Sequence, residues 1–297
     1  MNTYFGIEEY AIVDNFLSQK YPGIKGLDDL SAADIEDAKV LICSDRPDIW
    51  DELRAALYKC VPKSQCIEIF PHPGTGLGLR GDVNNFSISA HLLHEVGHQA
   101  AKLISNTMPQ AKPFTNRRAM WEYILMNEIE IDGMFLEFGV FEGSSINYIA
   151  ALKPGHTIYG FDSFEGLPAD WGLDVHCNFI PKGHLDKKGI LPQVNSNVRL
   201  VKGWFENTLP SFLDEHSENC AFIHIDCDIY SSTKTVLFTL RDRIVPGTVI
   251  QFDEFFNYPG WQKHEYKAFQ EFLIQTGMKC KYLGYNDASV QVAVKII

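Results

Sequence analysis

Between residues 135 and 261, four short apolar runs each end on acid: FLEFGVFEGSS carries Glu137, IYGFDSFEGLP carries Asp162, FIHIDCDIYSS carries Asp226, and VIQFDEFF carries the pair Asp253 and Glu254. Runs this short, separated by longer amphipathic stretches, predict parallel strands joined by crossover helices. In an open sheet of that kind ligands bind beyond the carboxyl ends of the strands. The pattern therefore sets all of these acids along one rim of one sheet.

The runs belong to a longer series. A helix is expected over 117–127, then strand FLEFGV, a helix opening near Ser144, strand TIYGFD and a polar excursion over 168–197. Strand VRLVKG, helix TLPSFLDEH, strand AFIHID, a helix over 232–243, strand GTVIQFDE, a helix over 264–275 and the paired strands KCKYLGY and SVQVAVKI follow. Five parallel strands and a terminal hairpin result. Upstream, KVLICS and QCIEIF flank a helical spacing over 48–59 and suggest one βαβ unit, followed by the Gly-rich PHPGTGLGLRGD and a helix over 87–104. The segment NTMPQAKPF, with its two prolines, is the best linker. The expected organisation is a smaller α/β domain over 1–110 and a larger α/β domain over 111–297.

At 297 residues the chain can bury a substantial core, and its net charge of −12 is spread along it rather than massed in a tail. No basic cluster is dense enough to follow a phosphate backbone, which argues against nucleic acid as a partner. No apolar stretch is long enough to span a bilayer, and MNTYFGIEEY lacks both the basic flank and the apolar segment of a signal peptide. A cytoplasmic enzyme without a membrane partner is expected. The seven cysteines are scattered and contain no CxxC, so buried thiols are expected rather than disulfides or a thiolate zinc site.

Two ends of the rim carry different chemistry. In EFGVFEGSS, Gly139 and Gly143 mark a turn from strand to helix, with Ser144 or Ser145 as the N-cap. Glycine lets a ligand approach the backbone there, and the free amides of a helix start bind an anion. Asp162, closing the next strand, is placed to accept hydrogen bonds from ribose hydroxyls. At the other end, Asp226, Asp253 and Glu254 close adjacent strands, and three hard oxygen donors suit Mg2+. Without a cation their convergence would cost like-charge repulsion. Asp228, with Ser231 or Ser232, is expected to cap the next helix.

The blocks EFGVFEGSS, GFDSFEGLP, VKGWFENTLP, HIDCDIYSST and FDEFFNYPGW, in this order within 117–297, resemble the signature blocks of the macrocin O-methyltransferase family of class I S-adenosylmethionine-dependent enzymes. The resemblance implies the α/β fold of class I methyltransferases: a Rossmann-like parallel sheet with a carboxyl-terminal antiparallel hairpin. It implies S-adenosylmethionine as ligand, consistent with EFGxxxG departing from GxGxxG and lacking a P-loop lysine. By position, Glu137, Gly139 and Gly143, with Glu142 and Ser144 in the same turn, would surround the methionine part. Asp162 would hold the ribose, Ser163, Phe164 and Trp204 would lie near the adenine, and Asp226 is counted with the donor residues as well. A divalent metal is implied on Asp226, Asp253 and Glu254, where the family's usual Asp-Asp pair has become Asp-Glu. The expected reaction is Mg2+-assisted methyl transfer to a hydroxyl of a sugar or natural-product acceptor. Asp226 is the expected base and His264 a second candidate. Relatives of this type commonly self-associate, so a homo-oligomer is an open expectation.

Other motifs compete. His94, Glu95 and His98 form HEVGH, which on a helix presents two imidazoles for Zn2+ with the glutamate as base, so a zinc-dependent hydrolase is one alternative. Leu92, Leu93, Val96 and Ala100 give the simpler reading of a packing face bordered by histidines. Gly76, Gly78 and Gly81 have GxGxxG spacing, but the poor helix formers after them favour a structural loop. Trp171, His176 and His184 in the excursion, with Trp261, form either a lid and acceptor pocket or a solvated loop. A non-catalytic S-adenosylmethionine-binding module is the remaining alternative.

Overall fold

A parallel strand covered by helices on both faces must be apolar on both sides, and the short runs of this chain meet that demand. A computed structural model describes residues 40–43, 58–59, 66–69 and 88–297. The chain divides into two units, Met1–Ala90 and His91–Ile297. In the first, β1 (Val40–Cys43) and β2 (Cys66–Ile69) pair in parallel with Val40 opposite Cys66, as KVLICS and QCIEIF predict. Most of the expected helix over 48–59, and the loop with Gly76, Gly78 and Gly81, lie outside the described residues.

The helix α1 (Ile88–Thr107) leads into the second unit, followed by β3 (Lys112–Phe114), α2 (Arg117–Asn127), β4 (Met134–Phe138), α3 (Ser144–Leu152) and β5 (Ile158–Asp162). A short antiparallel pair, β6 (Gly172–Leu173) and β7 (Phe179–Ile180), interrupts the polar excursion. Then come β8 (Val198–Lys202), α4 (Phe205–Glu215), β9 (Cys220–Ile225), α5 (Tyr230–Thr239), β10 (Val249–Phe252), α6 (Glu265–Thr276), β11 (Cys280–Asn286) and β12 (Val292–Ile296).

The eight-stranded sheet runs β3-β11-β12-β10-β9-β4-β5-β8. The five strands from β8 to β10 are parallel, and β12 lies antiparallel between β10 and β11. This is the class I methyltransferase sheet with its antiparallel hairpin. After β4 the chain moves outward through β5 to β8, then returns to lay β9 and β10 on the other side of β4. The crevice at such a reversal, beyond the carboxyl ends of β4 and β9, is where open α/β sheets bind ligands.

Strands β4, β9, β10 and β12 are buried at every position. Alternate residues serve two cores. Phe135, Phe222 and Val249 pack with Trp121 and Ile124 of α2 and Ile146 and Ile149 of α3. Leu136, Ile223 and Ile250 pack on the other face with Val96, Leu209, Val236 and Phe269. The expected linker is part of this unit. Val96, Ala100 and Met108 are buried in the second core, and KPF of NTMPQAKPF is β3, an edge strand where a proline is tolerated. The division at 90/91 therefore precedes the expected 110. No described helix is long and apolar enough to cross a membrane.

Candidate active site

The crevice is closed tightly where β4 meets β9. Gly139 has φ +94, and a Cβ on it would stand 1.6 Å from the carbonyl oxygen of Asp226. The close approach is held by Asp226 N–H donating to Phe138 O at 2.8 Å and Gly139 N–H donating to Phe161 O at 2.9 Å. Gly143, at φ +80, is the N-cap of α3, and no side chain caps that helix. The expected serine cap is absent because Ser145 Oγ donates instead to buried Glu137 Oε1 at 2.8 Å.

Asp162 has a task that the sequence did not disclose. Its Oδ2 accepts the N–H groups of Val140 and Phe141, each at 2.8 Å, and its Oδ1 accepts Phe164 N–H at 2.6 Å. These bonds hold Phe141 and Phe164 at φ 47 and 58, left-handed values that are costly for residues bearing a Cβ. A carboxylate offers about four acceptor positions. Three are used by these bonds and one is left.

A cavity of about 470 Å3 opens beyond these turns. Of the residues singled out in the sequence, Gly139, Glu142, Ser144, Asp162, Ser163, Trp204, Asp226, Asp253 and Glu254 line it. The other expected residues lie elsewhere. Glu137 is fully buried, Gly143 backs onto Pro192, and Phe164 is buried in the α2–α3 core. His264 is outside the cavity lining at the start of α6, with its ring 6.2 Å from Tyr258, and burial followed by the neighbouring Lys263 holds its pKa low.

The carboxylates form two overlapping groups. Atoms of Asp226, Asp228 and Glu254 lie within 4.8 Å of one another, and so do atoms of His224, Asp226 and Asp253. The expected trio of Asp226, Asp253 and Glu254 is thus divided, since successive residues leaving an extended strand turn to opposite sides. Asp228 takes the place of Asp253 beside Glu254. It does not cap α5, whose N-cap is Ile229 without a side-chain bond; at φ 63 it faces the cavity.

Below the acids runs a row of polar side chains from adjacent strands, because Glu137, His224 and Gln251 are in register across β4, β9 and β10. His224 Nδ1 lies 3.0 Å from Glu137 Oε2, and Nε2 faces Asp253 Oδ1 at 3.6 Å, an ion pair beyond hydrogen-bond reach. Asp253 Oδ2 also accepts from Arg117 Nη1 and Gln291 Nε2, each at 3.3 Å. Burial opposes charge on His224, but the carboxylates of Asp253 and Glu137 outweigh it and push the imidazole up to about 10. Burial would also raise Asp253, yet His224 and Arg117 hold it below its ordinary range.

The remaining acids go the other way. Burial, then the charge of Asp253, raises Asp226 and Glu254, and the same causes push Asp228 up to about 7. Glu265, unforeseen from the sequence, is buried beside them, accepts Glu254 N–H at 3.0 Å, and is raised chiefly by burial. Asp253 Oδ1, Glu254 Oε2 and Glu265 Oε1 are buried without a hydrogen-bond partner. Oxygen donors without a hydrogen bond among crowded carboxylates fit a hard divalent cation.

These shifts have a consequence for folding. Asp228, raised from 3.8 to about 7, binds its proton more tightly folded than unfolded, so its contribution is present below 3.8 and fades as pH rises through about 7. His224, raised from 6.5 to about 10, contributes fully below 6.5 and loses that contribution as pH climbs through about 10. Both slopes have the same sign. In EDTA, urea unfolding should therefore show stability falling steadily between pH 5 and pH 10, and a rise over that interval would contradict the charge assignment.

The excursion forms one wall of the cavity. Leu167, Pro168, Trp171 and Leu185 line it, with Trp171 set edge-on against buried Tyr258 at 5.6 Å between ring centroids. Lys187 pairs with Glu142 at 2.8 Å. His176 and His184 are exposed and do not line the cavity, and neither does Trp261, which is buried against Tyr266. On α1, Val96 and Ala100 are buried as a packing face, while His94, Glu95 and His98 are exposed. The two imidazoles meet edge to face at 4.5 Å, but among the described residues no third ligand joins them.

Residues 136–255 match the family model described as a methyltransferase domain. The chain is 29% identical over 171 residues to 8-demethyl-8-(2,3-dimethoxy-alpha-L-rhamnosyl)-tetracenomycin-C 4'-O-methyltransferase of Streptomyces olivaceus, covering 51% of this chain and 63% of the relative. It is 25% identical over 181 residues to demethyldecarbamoylnovobiocin O-methyltransferase of Streptomyces niveus, covering 52% and 64%. It thus spans a little under two thirds of the length of these two relatives. Among solved structures, the calicheamicin methyltransferase CalS11 is similar with a TM-score of 0.48 and 21% identity, over 75% of this chain and 98% of that one. The sheet order and the turn after β4 are those of the class I methyltransferase fold, and residues 136–255 within it match a methyltransferase domain.

Proposed function

We propose that this domain transfers a methyl group from S-adenosylmethionine to a hydroxyl oxygen of a small-molecule acceptor, assisted by a divalent cation such as Mg2+. The observation that carries the reading is one cavity shared by the Gly139 turn, Asp162 and the Asp226–Asp228–Glu254 cluster. The named activities of the two bacterial relatives support an oxygen acceptor on a natural product or its sugar.

Each end of the cavity has its part. The free amides at the start of α3 receive the carboxylate of the methionine moiety, and Asp162 receives a ribose hydroxyl. The surrounding acids suit the cationic sulfonium, whose methyl is the electrophile and must lie nearly in line with the acceptor oxygen at about 3 Å. Asp226, Asp228 and Glu254 would hold the cation, which supplies a lowered pKa to an acceptor hydroxyl. Asp226, raised by burial and by Asp253, is the base that takes the hydroxyl proton. His264 lies outside the cavity and has no part in this scheme.

Calorimetry of the full chain with S-adenosylhomocysteine, with and without Mg2+, tests both halves. Binding of the nucleoside product, and a Mg2+ isotherm lost in Asp228→Asn, are expected. Failure to bind S-adenosylhomocysteine would remove the donor assignment, while donor binding with no Mg2+ isotherm would remove only the cation. Donor binding without turnover on any acceptor would favour a non-catalytic binding module.

A further inference from the structure

Two polar side chains lie beneath the carboxylates, away from any ligand: Glu137 and His224 are fully buried and do not line the cavity. They stand in strands buried at every position, where an apolar side chain would avoid the cost of desolvating a polar group. Their surroundings hold the imidazole closely. Ser145 Oγ donates to Glu137 Oε1 at 2.8 Å, and Glu137 Oε2 lies 3.0 Å from His224 Nδ1. Trp121 meets the imidazole edge to face at 5.5 Å between ring centroids. A carboxylate on one ring nitrogen sets where the other one points.

It points at Asp253. Nε2 faces Asp253 Oδ1 at 3.6 Å, and both atoms are buried without a hydrogen-bond partner. The other oxygen, Oδ2, accepts from Arg117 Nη1 and Gln291 Nε2, each at 3.3 Å. Asp253 N–H donates to Ile225 O at 2.8 Å, which ties its backbone to β9 and leaves rotation of the side chain as its freedom. His224 on one oxygen, with Arg117 and Gln291 on the other, removes that freedom. Asp226 belongs to both clusters, so it stands between Asp253 on one side and Asp228 with Glu254 on the other. A carboxylate fixed on the first side repels Asp226 toward the second.

We infer that His224 is a positioning residue for the proposed methyl transfer, on which this inference rests: held by Glu137, it sets the Asp253 carboxylate, and Asp253 keeps Asp226 turned toward Asp228 and Glu254. Glu137 thereby serves the acceptor end of the site from beneath it.

Calorimetry of the full chain tests this, with S-adenosylhomocysteine read first and Mg2+ then added to the saturated complex. Absence of either isotherm in the parent chain would remove the transfer reading or its cation, and the role of His224 with it. With both present, His224→Gln and His224→Asn are compared. The glutamine amide nitrogen falls near the place of Nε2 and can face Asp253, whereas the shorter asparagine amide falls near Nδ1 and meets Glu137 alone. His224→Asn should weaken Mg2+ by about tenfold or more, the usual cost of losing a group that orients a ligand, while His224→Gln stays within about threefold of the parent. S-adenosylhomocysteine affinity should be kept in both. A histidine that merely satisfied Glu137 would be replaced as well by asparagine as by glutamine, so equal Mg2+ affinity in the two variants would overturn the inference, as would loss of donor affinity in step with Mg2+. A second measurement needs no metal and no change at His224 in the protein observed. In EDTA the ring N–H proton signals of His224, assigned by their absence from His224→Gln, should shift in Asp253→Asn, and signals indifferent to that change would overturn the inference too.

Discussion

Gly139→Ala should weaken donor binding sharply and destabilise the fold, although it adds a single methyl group. The added Cβ would lie 1.6 Å from Asp226 O and 2.7 Å from Asp226 C, backbone atoms that cannot swing aside as the end of a side chain can. Relief requires the ends of β4 and β9 to part, which breaks the 2.8 Å bond from Asp226 N–H to Phe138 O. The residue also sits at φ +94, where an L-residue costs about 1–2 kcal/mol. Overpacking adds about 1–3 kcal/mol. A total loss of about 2–5 kcal/mol in urea unfolding follows from these two terms. A fall of at least about 100-fold in S-adenosylhomocysteine affinity is expected by calorimetry, equivalent to about 2.7 kcal/mol. Gly143→Ala is the control: its nearest contacts are side-chain atoms at 3.4 Å, so strain at φ +80 is the main cost and donor affinity should fall far less. Equal effects from the two substitutions would show that the contact between β4 and β9 does not shape the donor site.

Much of the sheet was legible because its signal is local. VIQF, AFIHI and MFLEF are apolar at all but one position each and buried throughout, and only a strand sheltered on both faces is so in four to six residues. The helix over 117–127 was equally plain. By contrast, β3 is three residues including a proline, which read as linker; its structure comes from pairing with β11 far along the chain. There Gly284 makes room for the ring of Phe114, a fit between distant residues that no local pattern records. The division at 90/91 has the same cause. α1 was recognised as a helix, but Val96 and Ala100 belong to a core completed by residues far along the chain.

In the site, acids at strand ends were found and their grouping was not. Asp162 and Asp226 line the cavity because strand direction alone fixes their rim. Asp228 was taken for a cap because a DxD before serines fits one; its φ of 63 decides the matter and is a property of the folded turn. His224 could have been found. It stands two residues before Asp226 in AFIHID, a polar side chain inside a run that must be buried, and period-two alternation puts it on the side of Glu137 rather than among the aliphatic residues. Arg117 reaches Asp253 across 136 residues of sequence and leaves no trace in either segment.

Asp226→Asn should separate activity from stability more sharply than any other change in this site. Asp226 belongs to both clusters, so its loss removes one ligand from the Asp228–Glu254 side and one neighbour from the His224–Asp253 side. An amide oxygen is a poorer ligand for a hard cation and cannot take a proton. Turnover should fall by about 10²–10⁴, the usual worth of a positioned base, and Mg2+ affinity should fall with it. The fold should respond in the opposite sense. Burial and the charges of Asp253, Asp228 and Glu137 all disfavour ionised Asp226, with only His224 opposing them, so the isosteric neutral side chain relieves repulsion in the protein without metal. In EDTA the variant should be at least as stable toward urea as the parent chain, and adding Mg2+ should stabilise the parent alone. A merely structural aspartate would lose stability when replaced and leave the metal response intact. That outcome, or a variant that keeps its turnover in EDTA, would remove Asp226 from both its roles and with it the carboxylate cluster as the acceptor end of the site.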